Sequence, residues 1–134
     1  IWARQTPNNT RWLYEHGKAL CDEYTHRYGK VHGSQSRILD IAHMIEEDSQ
    51  WVNATPVTIA MDDMYRLVKD ERMSDWNFVI KSYRHYYLEG KWKFAEWRQN
   101  RMPEWWPKDH FKTKYNSEIQ EYNKRWNANL EMLE

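Results

Sequence analysis

NNTRWLYEHGKALCDEYTHRYG, residues 8–29, repeats its apolar residues at the spacing of one helix face. Asn8 or Asn9 can accept the first free N–H groups of such a helix, and Gly29 supplies a left-handed stop. The spacing predicts a helix from Asn8 to Tyr28. Leu13, Gly17, Leu20, Tyr24 and Tyr28 face inward, with Trp12 and Ala19 beside them.

Working outward, the same period recurs. After GSQS, with Ser34 as cap, Ile38, Ile41, Ala42 and Ile45 predict a second helix. Glu46, Glu47 and Asp48 oppose the dipole at its C-terminus, so it ends there. Residues 49–73 are irregular: Trp51 to Ile59 reads as extended loop and MDDMYRLV as a short helical turn. Ser74 caps a third helix, SDWNFVIKSYRHYYLEGKW, with Trp76, Val79, Ile80, Tyr83 and Tyr87 on its apolar stripe. Gly90 either ends it or weakens it before KWKFAEW continues. MPEWWP is a proline-braced turn. A tail helix is expected from about Asn116 or Ser117, with Ile119, Tyr122, Trp126, Leu130 and Leu133 in one narrow stripe. Such a stripe covers the domain or meets a partner helix. With only four glycines and four prolines, the expectation is an all-α, single-domain bundle of four or five helices with irregular loops, spanning 1–134. The 117–133 helix would lie at its periphery or form a homo-oligomer interface.

Composition narrows the function classes. Lys and Arg number 20 against 20 Asp and Glu, so bulk charge cannot attract nucleic acid and a local basic patch is required. Nine Trp and nine Tyr are rings for a core, for an interface or for stacking on bases. One cysteine, Cys21, excludes an internal disulfide and a cysteine-based zinc site; inside a helix it reads as packing and not as a nucleophile. The expected setting is reducing and cytoplasmic. No apolar run is long enough to span a membrane, so no membrane partner is expected. The chain opens IWARQTPNN, without an initiator Met, and reads as a start in mid-sequence with an N-terminal portion expected before it. No phosphate loop, dinucleotide fingerprint or nucleophile elbow is present, and no cofactor is implied.

Three constellations carry chemistry. In EYTHRYGKVH (23–32), Glu23 and Arg27 share a helix face, and Lys30 and His32 follow the Gly29 turn. Together they would hold a phosphate or carboxylate, with Glu23 and His32 as the catalytic, acid–base or orienting, groups. An i,i+4 salt bridge with cations at a helix C-terminus accounts for the same residues. Glu23-x-x-His26 and Asp40-x-x-His43 have the spacing of helical di-metal sites. The two further inward carboxylates such a site needs are missing, so no metal site is assigned, and a helical metalloenzyme remains the least favoured alternative. SYRHYYLEGKWKFAEWRQNRMPEWW interleaves Lys81, Arg84, Lys91, Lys93, Arg98 and Arg101 with rings, against Glu89 and Glu96. Tyr86, Trp92 or Trp97 would stack on a base; an amphipathic helix with its rings in the core explains the pattern equally.

IWARQTPNNTRWL, LCDEYTHRYGKVH and YRHYYLEGKWKFAEW followed by PEWW resemble, in order and spacing over residues 1–106, a family of small proteins encoded by tailed phages, marine ones included. Some members carry the label of pyrimidine-dimer DNA glycosylase. That enzyme is a small helical protein using an N-terminal amine and a glutamate. SYRHYYLEGKW is loosely similar to its aromatic ending, but the amine would lie outside this chain. The resemblance implies an infected host cell's cytoplasm, a DNA or nucleotide partner, and Glu23, Arg27, Lys30 and His32 as the residues to watch. His26 falls on a position that varies in the family's block. Trp2, Arg4, Tyr83, Arg84, Tyr87, Lys91 and Trp97 match the other blocks, and of these all but Trp2 are expected to bind, with Arg27 and Lys30. Whether the protein is catalytic stays open. The leading expectation is a phage accessory protein binding or acting on DNA or a nucleotide. Its rival is a non-catalytic interaction protein. The turn after the first helix and the ring-rich third helix are expected to line one pocket.

Overall fold

Thr6, and neither asparagine, starts the first helix. Its hydroxyl accepts the Asn9 N–H, and Pro7 takes the first helical position, where a missing N–H costs nothing. In a computed structural model describing residues 1–95, 97 and 101–134, α1 runs Pro7–Tyr28 and stops at Gly29 (φ 65°), whose N–H bonds Thr25 C=O at 2.8 Å. α2 is short, Gln35–Asp40, and tightens into a 3-10 turn, Ile41–Met44, ending before the acidic run as expected. α3 spans Asp75–Gly90, with the Ser74 hydroxyl accepting the Asn77 N–H as predicted. α4 spans His110–Trp126. The described residues hold these four helices, several 3-10 turns and no strand, so the chain is mainly α. No described helix is long and apolar enough to cross a membrane.

The chain divides into two compact units, Ile1–Ile59 and Ala60–Glu134. The turn after α1 belongs to the first and α3 to the second.

In the first unit the buried face of α1 is Asn9, Gly17 and Cys21. Leu20, expected inside, is 58 % exposed, and Tyr28 is 47 % exposed. The face is rotated by one residue because α2 approaches at Gly17: a Cβ there would stand 2.8 Å from Ile38 Cδ1. Cys21 is buried, the packing role expected of it. Asn8 and Asn9, released from capping, hold the distant loop instead. Asn8 Oδ1 accepts the Gln50 N–H at 2.8 Å. Asn9, fully buried, donates from Nδ2 to Trp2 C=O and Thr55 Oγ1, and its Oδ1 accepts the Thr55 N–H. These bonds seat the 3-10 turn Trp51–Asn53 against α1.

In the second unit, Val79 and Ser82 are the buried residues of α3, while Ile80 and Tyr87 of the predicted stripe are exposed. A 3-10 turn, Asp63–Tyr65, lies on α3 where the short helical turn was expected; His85 Nδ1–H donates to Tyr65 C=O at 2.9 Å. Gly90 ends α3, and the Tyr65 ring sits where its Cβ would be, 2.8 Å from Cζ. α4 begins six residues earlier than Asn116, at His110, whose Nε2–H donates to Leu88 C=O at 2.7 Å. The Lys114 ammonium pairs with Glu89 and, through that hydrogen bond first, holds the Glu89 carboxyl below its ordinary range. Lys93 pairs with Glu118 at 3.0 Å, and Trp92 meets Phe111 edge-on. α4 also stops at Trp126, short of the expected 133, because Asn127 turns left-handed and the chain doubles back.

Candidate functional site

At the end of α1 two of the predicted polar residues, Glu23 and Arg27, pair with each other, and a third, His32, meets a ring. Glu23 and Arg27, four apart on the helix, join at 2.9 Å. Tyr24 meets His32 edge-on at 4.9 Å and tilts against Tyr28 at 4.8 Å. The Gly29 turn makes the second contact possible, since it reverses the chain so that His32 returns beside the helix. His32 Nδ1 accepts the Ser34 N–H at 3.1 Å. In the neutral ring this puts the proton on Nε2 and leaves that nitrogen a donor.

Beside them lies an open groove of about 320 Å³ lined by Gly17, Leu20, Cys21, Tyr24, His32, Ser34 and Ile38. It is a mostly apolar recess with one imidazole and one phenol. Glu23 and Arg27 are outside its lining, and their charges answer each other. Lys30 is exposed, as is Arg4 in the 3-10 turn Trp2–Arg4. Asp40 ends α2 and His43 lies in the next turn. Among the described residues no three His, Cys, Asp or Glu side chains gather as a metal-binding group, so the spacing of Glu23, His26, Asp40 and His43 does not converge.

A second recess, unforeseen, lies on the neighbouring face of α1. Trp12, Glu15, His16 and Trp51 line a slot of about 210 Å³. Trp12 and His16, one turn apart, stack at 4.5 Å and 15°. Trp2 braces Trp12 edge-on at 5.4 Å, its own Nε1–H held by Thr55 Oγ1 at 3.0 Å. Trp51 is 54 % exposed. Glu15 pairs with Arg11 at 3.6 Å, and Arg11 is anchored by Ser49 Oγ and Glu46 C=O. Partial desolvation in the stack lowers His16 below its ordinary 6.5, so the ring is neutral at neutral pH. The slot therefore offers flat, uncharged faces with one carboxylate at the side. Trp12-x-x-x-His16 was a legible aromatic i,i+4 pair; nothing in the sequence joined Trp51 to it.

The aromatic–basic segment of the second unit is largely engaged with itself. Tyr83 Oη accepts the Ala60 N–H at 3.0 Å. The Arg84 guanidinium lies 5.3 Å from the Trp105 ring centre, Lys91 Nζ 5.5 Å from Tyr86, and Lys93 Nζ 5.3 Å from Trp92. Trp97 meets Trp106 edge-on at 5.2 Å, and Tyr87, exposed, meets Tyr86. Trp92 is buried against Phe111, so its expected role as a base platform gives way to a core role. Glu96 and Arg98, counted in the charge of this segment, lie outside the described residues.

No protein-family model, no curated protein and no solved structure matches the chain.

Proposed function

We propose that the first unit binds a nucleotide or a short single-stranded nucleic acid, ring first. The stacked Trp12–His16 pair in a slot with the exposed Trp51 carries this reading. A base entering the slot gains an aromatic contact on a face kept uncharged by His16, and Glu15 can accept from an exocyclic amino group. Base–aromatic stacking contributes about 1–3 kcal/mol per base and tolerates any base. The groove at Tyr24 and His32 receives a second ring. His16 and Tyr24 are eight residues apart on α1, about 12 Å along its axis, a span that a short single strand bridges. Lys30 and Arg4, both exposed, supply phosphate contacts.

Charge decides which term leads. Residues 1–59 hold six Lys and Arg against seven Asp and Glu, so there is no basic field to gather a polyanion. Binding led by stacking and one or two phosphate contacts predicts a shallow salt dependence, a log–log slope of about −0.7 to −1.4. The test is titration of tryptophan fluorescence with oligothymidylate and mononucleotides at low and high salt. Saturable quenching, weakened about fivefold or more in Trp51→Ala, is the expected result. No quenching at low salt, or equal affinity in Trp51→Ala, sinks it.

A further inference from the structure

The last eight residues of the chain are bound by the helix that precedes them. After Trp126, Asn127 adopts φ 48° and ψ 43°, Ala128 N–H returns to Asn123 C=O at 3.0 Å, and the tail runs back antiparallel to α4. Two asparagine side chains then grip its backbone. Asn123 donates from Nδ2 to Leu130 C=O at 2.9 Å and accepts the Leu130 N–H on Oδ1 at 2.9 Å. Asn116 does the same for Leu133, at 2.8 and 2.7 Å. Each carboxamide acts as a peptide unit of a neighbouring strand. The register fits because seven residues of helix and three of extended chain both advance about 10 Å.

This recognition uses only backbone groups of the tail, and it leaves apolar surface unspent. Leu130 and Leu133 are exposed despite their bound backbones, as is Tyr122, and Trp126 beside the turn is 63 % exposed. Only Asn127, Ala128 and Asn129 connect the helix to the first clamp. A short connection in a left-handed conformation is the kind of hinge that favours exchange of the segment it carries.

We propose that two copies of this chain exchange their C-terminal segments, each tail leaving its own α4 and docking on Asn116 and Asn123 of the other. A two-fold axis that sets the C-terminal ends of two α4 helices facing each other allows this. A tail continuing forward from one helix then runs along the second from its C-terminal end towards its N-terminal end, the same antiparallel direction it has in its own chain. All four clamp bonds recur in trans, and the one bond given up is that of the turn, Ala128 N–H to Asn123 C=O, whose groups pass to water. Exchange relieves the left-handed Asn127 and brings the two Trp126 side chains to one junction, where apolar area leaves water. This assignment is independent of the slot on α1.

Sedimentation of the full chain over a wide concentration range tests it. The expected result is a monomer–dimer equilibrium that Asn127→Ala shifts towards dimer by about tenfold or more, since Ala tolerates the left-handed hinge poorly. Asn127→Gly, which accepts that hinge freely, shifts it towards monomer. Asn116→Ala with Asn123→Ala removes the dimer, with circular dichroism checking that α4 persists. A mixing arm separates exchange from side-by-side association. The double Asn variant keeps a tail but no ladder, and Leu130→Pro with Leu133→Pro keeps a ladder but no dockable tail. Each alone is monomeric, and together they form a heterodimer. Monomers throughout for wild type and Asn127→Ala, or a dimer indifferent to Asn116 and Asn123, overturns the proposal.

Discussion

Replacing Asn9 by Leu should loosen the first unit by about 1–2 kcal/mol, the cost of one orphaned backbone N–H and of a donor lost at a carbonyl that keeps another. Asn9 is fully buried and ties three segments: its Nδ2 reaches Trp2 C=O at 3.0 Å and Thr55 Oγ1 at 2.9 Å, and its Oδ1 takes the Thr55 N–H at 2.8 Å. Leu has the same branched outline and is the bulkier of the two, so no cavity forms. What remains is the loss of the Thr55 N–H partner and of one of two donors at Trp2 C=O, which keeps the Gln5 N–H at 3.1 Å. A fully buried orphan costs up to about 3 kcal/mol, but Thr55 lies at the surface and regains water, which places its N–H nearer 1 kcal/mol. Against the stability expected of so small a unit, at or below the low end of about 5–15 kcal/mol, that is a large fraction. Urea denaturation followed by circular dichroism and tryptophan fluorescence measures it. Thr55→Val in the Asn9→Leu background should cost less than Thr55→Val alone, because the hydroxyl has already lost its amide partner. A change below about 0.5 kcal/mol for Asn9→Leu, or strict additivity of the pair, would show that apolar contacts hold loop 50–55 and that the amide is incidental.

Two further outcomes follow from the same unit. Gly17→Ala gains about 1 kcal/mol of helix propensity but drives a methyl to 2.8 Å from Ile38 Cδ1, an overpacking cost of about 1–3 kcal/mol, so denaturation should show a small net loss. Ile38→Val removes that Cδ1 and leaves Cγ2 at 3.1 Å, so in its background Gly17→Ala should cost less than in the parent chain. His16 takes a proton less readily when folded than its ordinary 6.5 implies, so its contribution is complete above that pH. Stability should fall as pH drops from 6.5 through the lower folded value, and His16→Phe should flatten that limb of a plot of Tm against pH.

How far the sequence reached depended on whether a feature was local. Ser74 and Gly29 were legible because a cap needs only its own neighbouring N–H groups or a positive φ. Thr6 was legible too, given Pro7 as a first-turn residue, yet two adjacent asparagines drew the assignment away. The inward face of α1 was misread by one step at Leu20, because its rotation is set by a contact with Ile38, twenty-one residues beyond Gly17. The tail was misread because the stripe Ile119 to Leu133 suits a continued helix and a returning strand alike. Only the left-handed Asn127 decides between them. Of the polar cluster, the Glu23–Arg27 pair was foreseen, whereas the slot needed Asn9 to find Thr55, forty-six positions away.

Leu20 apart, these misreadings share a residue type. Asn8, Asn9, Asn116 and Asn123 each bond backbone of a segment that has no strand or helix to satisfy it. The apolar core is thin: Cys21 and Ala54 in the first unit, and Val79, Trp92 and Trp106 in the second, are its buried members among the described residues. With so little hydrophobic area to press irregular chain into place, directional bonds must do it, and a carboxamide copies a peptide unit's donor and acceptor. That division of labour leaves the rings free to stay near the surface. An exposed Trp51 beside a stacked Trp12 and His16 is therefore a consequence of how this chain is fastened, and it is the surface on which the proposal of a stacking ligand rests.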